Sequence, residues 1–77
     1  MALWEQEWKK DLFDRALEKV RAKVDEKQFQ IFDLYALQQW SANKVARSLG
    51  VSRARVYVTK HRVSRLVRRQ IERLQKS

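Results

Sequence analysis

The sequence predicts an all-α fold of four helices, with a helix-turn-helix and a long C-terminal helix. Three observations lead there. Proline is absent from the 77 residues and a single glycine, Gly50, interrupts them, so almost nothing breaks a helix. Apolar residues recur at three- and four-residue spacing and never in strand-like alternation. Charge is divided unevenly: residues 1–40 hold seven Lys/Arg against eight Asp/Glu, whereas residues 41–77 hold eleven Lys/Arg against Glu72 alone.

The first helix is expected over about the first 20 residues. Trp4, Trp8, Leu12, Ala16, Val20 and Val24 form one stripe, with Phe13 and Leu17 beside it. Glu5, Glu7 and Asp11 near its start and Arg21 and Lys23 near its end suit the helix dipole. The three tryptophans, Trp4, Trp8 and Trp40, could stack on single-stranded nucleic acid, but helical spacing favours core packing. Asp25 is placed to cap the second helix, with Gln28 completing a loose capping box. That helix should run to about Gln39, turn Phe29, Phe32, Tyr35 and Ala36 inward, and be closed by Trp40.

Ser41 is the expected N-cap of a short third helix whose buried set is Val45, Ala46 and Leu49. Gly50 follows, where a left-handed backbone ends the helix. Ser52 caps the fourth helix, which continues to about Leu74. At about 100° per residue, Val56, Val63, Val67, Ile71 and Leu74 share one side of it. Ala54, Tyr57, Val58, His61, Arg62, Arg65 and Arg69 fall on the other.

The glycine hinge in a basic helical pattern therefore reads as a helix-turn-helix, in which a short helix braces one that enters the DNA major groove. Ala46 allows close crossing, Val51 plugs the core and Val56 anchors the long helix. An ordinary helical corner would leave the crowd of outward arginines without a reason. Base contacts are expected from Arg53, Arg55, Tyr57, Val58, His61 and Arg62. Arginine can grip guanine O6 and N7, and Val58 can meet a thymine methyl. Ser41, Lys44, Ser52 and Arg65 suit phosphates, the serines through helix-start amides as well as hydroxyls.

Composition narrows the alternatives. With a net charge of +9, all of it from the second half, the expected partner is a polyanion. Without cysteine, and with one histidine, neither a disulfide nor a metal site can be assembled, and no cofactor is expected. No nucleophile, base and orienting group come together, so the chain reads as a non-enzyme. No run approaches a membrane span and the first residues are no signal peptide, which suggests a cytoplasmic protein.

The stretch "VDEKQFQIFDLYALQQWSANKVARSLGVSRARVYVTKHRVSRLVRRQIERL", residues 24–74, resembles region 4 of bacterial sigma factors, particularly the extracytoplasmic-function group. It covers about two thirds of the chain. The "VARSLGVS" part is common to several helix-turn-helix regulators, while the flanking helices favour sigma. The division this implies is an N-terminal amphipathic helix, 1–24, and a region-4-like unit, 25–77, within one domain.

The resemblance implies recognition of the minus-35 promoter element in double-stranded DNA, docking on the flap of the RNA polymerase beta subunit, and an anti-sigma factor as a candidate regulator. Arg53, Ala54, Tyr57, Val58, His61 and Arg62 coincide with the DNA-facing positions of that family. Two features depart from it. Lys44 stands where the family usually has an acidic residue, and nothing resembles region 2, which opens the promoter. Transcription initiation by this chain alone is therefore not expected, whether it is one domain of a longer sigma factor or a smaller descendant. The alternative is a stand-alone helix-turn-helix regulator that binds operator DNA as a dimer, with Trp4, Trp8 and Leu12 supplying the dimer surface. A protein-interaction or membrane-surface role for the basic amphipathic helix from Val56 to Leu74 is a third reading.

Overall fold

The computed structural model describes the backbone of residues 2–76 and the side chains of residues 9–75. The chain is all-α: α1 spans Ala2–Arg21, α2 Glu26–Phe32, α3 Ala42–Leu49 and α4 Arg53–Lys76. No strand occurs among the described residues. No described helix is long and apolar enough to cross a membrane.

Each of the three later helices begins on a side-chain cap. Asp25 Oδ1 accepts from the Gln28 amide at 2.7 Å, Ser41 Oγ from the Lys44 amide at 3.1 Å, and Ser52 Oγ from the Arg55 amide at 3.1 Å. Every one of these bonds satisfies an amide that the helix leaves unpaired. The sequence reading named all three caps.

α3 ends on Gly50, whose φ is 67° and ψ 38°. The Val51 amide then reaches back to the Ala46 carbonyl at 3.0 Å, the long bond of a Schellman turn. A Cβ added at Gly50 would meet nothing within 4 Å, so space is not what selects glycine there. The left-handed backbone is. Gly50→Ala is accordingly expected to cost about 1–2 kcal/mol from that conformation alone, and a thermal melt would measure it. A melting temperature equal to the parent's would show that the turn relaxes without strain.

Two apolar clusters hold the helices together. One joins Ala16 and Val20 of α1 to Phe32, Val63 and Val67, with Phe13, Leu17, Val24, Ala36, Leu66, Ile71 and Leu74 packed around them. The other joins Ile31, Ala42, Val45 and Val56, flanked by Leu34, Tyr35, Trp40, Ala46, Leu49 and Val51. α4 contributes to both. Its first half completes the helix-turn-helix and its second half carries α1.

Several expectations need correction. α1 stops at Arg21, so Val24 reaches the core from the following turn and not from the helix stripe. The second helix does not run evenly to Gln39: α2 gives way at Asp33 to a π-helical turn, Asp33–Leu37, and Trp40 lies in the linker beyond it. Ile31, which was not assigned inward, is fully buried, whereas Phe29 is half-exposed. In α3 the buried residues are Ala42 and Val45, with Ala46 and Leu49 only half-buried.

On α4 the buried line takes in Thr59 and Gln70, at 5% and 6% exposure, and leaves Ile71 and Leu74 at its margin. Two polar residues thus occupy helix-packing positions that hydropathy alone assigns to aliphatics. The expected core packing of Trp4 and Trp8 in the α1 stripe lies outside the described side chains.

Candidate nucleic-acid interface

α3 and α4 meet at the 50–52 turn, and the second cluster fixes them against each other through Val45 and Val56. With those residues turned inward, helical phase sets the outward chemistry of α4. Arg53, Ala54, Arg55, Tyr57, Val58, His61, Arg62 and Arg65 are all exposed. Tyr57 at 52% and Val58 at 66% are large apolar groups left in water. Val58, His61, Arg62, Arg65, Leu66 and Arg69 line a shallow depression along the helix.

Among the described residues the one ion pair is Arg15 with Asp11 at 3.2 Å, on the exposed side of α1. Among the described residues, then, no carboxylate pairs with an arginine of α4. Such a row stays free to exchange bound counterions for an external anion, and its mutual repulsion makes that exchange more favourable. Arg69 extends the row beyond the residues named as contacts. Helical phase puts it on the outer face, and the depression along α4 joins it to the others.

The remaining candidates sit at helix starts. Ser41 and Ser52 each spend an oxygen lone pair on a capping bond, which leaves the hydroxyl hydrogen available to an outside acceptor. Lys44, exposed in the first turn of α3, holds its Nζ 4.2 Å above the centre of the Trp40 ring. Tyr57 is likewise engaged: its ring meets Tyr35 edge-on, with centroids 5.8 Å apart and planes at 74°. Sequence reasoning named Lys44 and Tyr57 but neither partner as part of the site. Both partners come from the segment between α2 and α3, whose irregular path the helical pattern does not encode.

All eleven residues named from the sequence are thus on one unit of structure, at the surface of α4 or at the starts of α3 and α4. The arrangement can supply bidentate and point-charge donors, two capped helix N-termini and two apolar groups. Comparison with protein-family models, with curated proteins and with solved structures finds no match to this chain.

Proposed function

We propose that this chain is a cytoplasmic module that binds double-stranded promoter DNA, with α4 as the helix that enters the major groove and α3 as its brace. The observation that carries the reading is the row Arg53, Arg55, Arg62, Arg65, without a carboxylate partner among the described residues, on the exposed side of the second helix of a helix-turn-helix. In a helix-turn-helix reader the early residues of the second helix face base edges. Arg53, Arg55, Tyr57, Val58, His61 and Arg62 occupy that stretch and supply donors and apolar contacts for it. Ser41, Lys44, Ser52 and Arg65 serve the phosphates on either side.

The likeness of residues 24–74 to sigma region 4 gives the reading its finer form. On that form the DNA is the minus-35 element, and the module acts in transcription initiation while docked on the flap of the RNA polymerase beta subunit. An anti-sigma factor would regulate it by covering the same module.

The test is titration of duplex DNA over a range of salt. With four to six phosphate contacts, log K should fall against log salt with a slope of about 4 to 5 in magnitude. An affinity that does not respond to salt would overturn the reading. In vitro selection from random duplex then separates the finer form from the coarser. Enrichment of one asymmetric element by a monomer supports the sigma-like module, and enrichment of a palindrome by a dimer supports a stand-alone regulator.

A further inference from the structure

The segment between α2 and α3 departs from regular geometry in successive steps. Asp33–Leu37 is π-helical, closed by the Gln38 amide on the Asp33 carbonyl at 2.9 Å. Gln38 Nε2 donates to Asp33 Oδ2 at 3.1 Å across the same turn. Gln39 has φ 60°, the positive value that side chains disfavour, and the Trp40 amide returns to the Leu34 carbonyl at 2.9 Å.

The π turn has a geometric effect. One extra residue in the hydrogen-bond ladder rotates the side chains that follow by about 100° relative to an unbroken α-helix. Tyr35, within the turn, and Trp40, just past it, are half-buried and pack against the cluster of Ile31, Ala42, Val45 and Val56. Tyr35 meets Tyr57, and Trp40 lies under Lys44.

An exposed tyrosine or lysine on a helix ordinarily samples several rotamers, and fixing one costs entropy on binding. Here a ring anchored in the core restricts each of them beforehand. The contacts add little to the core itself, because Tyr57 remains 52% exposed and Lys44 is exposed too. Their effect falls on the outward groups.

We propose that residues 33–40 are a positioning segment for DNA recognition, in which Tyr35 holds the Tyr57 ring and Trp40 holds the Lys44 ammonium in the geometry used on the duplex. The inference rests on the DNA-binding reading above. Tyr35 and Trp40 touch no DNA in it. They act through Tyr57, a base contact, and Lys44, a phosphate contact.

A double-mutant cycle tests it, using the duplex recovered by in vitro selection, its single-base-pair variants and a random duplex, all well below the melting temperature. Tyr57→Ala should abolish discrimination at one base pair. Tyr35→Leu should weaken discrimination at that same pair about twofold to tenfold, the range an aromatic pair supplies, and leave random-duplex affinity unchanged. Tyr35→Phe, which keeps the ring edge, should restore it, and the double variant should be no worse than Tyr57→Ala.

For the other arm, Lys44→Ala should reduce the salt slope by about 1. Trp40→Leu, which keeps the Lys44 charge, should lower affinity for both duplexes in the parent and have no further effect in the Lys44→Ala background, and Trp40→Phe should keep the parent affinity. Equal losses for Tyr35→Leu on selected and random duplex would mean only fewer folded molecules, and would overturn the proposal. So would additive effects of Tyr35 and Tyr57, full discrimination in Tyr57→Ala, or a Trp40→Leu loss that persists undiminished in the Lys44→Ala background. Wild-type protein that binds no duplex would overturn the DNA-binding reading along with it.

Discussion

Ile31→Ala is expected to lower folding stability by about 2–5 kcal/mol, the cost of truncating a large aliphatic where the surroundings cannot collapse into the gap. Ile31 is wholly buried and is the α2 residue at the centre of the cluster that also contains Ala42, Val45 and Val56. Those partners are small and cannot replace the lost volume, so any relief has to come from the half-buried Leu34, Tyr35, Trp40 and Leu49 packed around them. A domain of this size has about 4 to 12 kcal/mol in total, and the variant gives up a large share of it. The measurement is a paired thermal and urea denaturation against Val58→Ala, whose parent side chain is 66% exposed. The surface variant should stay within about 0.5 kcal/mol of the parent. Ile31→Ala melting with Val58→Ala would show that α2, α3 and α4 are not packed around Ile31.

The second large effect is on binding. Arg62→Ala, and separately Arg53→Ala, should each cost about 1–3 kcal/mol on the selected duplex and less on random DNA, provided the residue reads a base. Both side chains are exposed, and among the described residues neither is held by a carboxylate, so their removal leaves the fold intact. Lysine should rescue only in part, since a point charge does not reproduce two parallel donors. Parallel losses on both duplexes would assign that arginine to phosphate instead.

Helix termini were the most legible part of the fold, because a cap is a local matter. Asp25, Ser41 and Ser52 each lie three residues before the amide they accept from, and Gly50 follows the last apolar residue of α3. Helical phase was legible for α4, where Val56, Val63 and Val67 are buried and Tyr57, Val58 and His61 are not. It failed in α2. Ile31 and Phe29 lie in its regular part, where the closely spaced apolar residues Phe29, Ile31 and Phe32 leave the inward face ambiguous, and from Asp33 the π turn also breaks the constant angle per residue that a helical pattern assumes.

The candidate site follows the same division. Exposure of its arginines could be derived from phase. The partners of Tyr57 and Lys44 could not, because Tyr35 and Trp40 approach from an element whose path depends on tertiary packing and on a positive φ at Gln39.

α4 belongs to both apolar clusters, and this governs the order in which the molecule can come apart. Releasing α1 uncovers Val63 and Val67 but leaves Ile31, Ala42, Val45 and Val56 in contact. Releasing α3 leaves Ala16 and Val20 against the far half of α4. Neither event needs the other, so each is a partial opening that costs less than global unfolding. The long helix is common to both states. Its central amides, between Val56 and Val67, lose their protection only when both clusters are lost, whereas those of α1 and α3 exchange through the two cheaper openings. Amide exchange would thus divide the chain into an early-opening N-terminal arm, an early-opening brace and a late-opening shaft, with the arginine row mounted on the part that stays ordered longest.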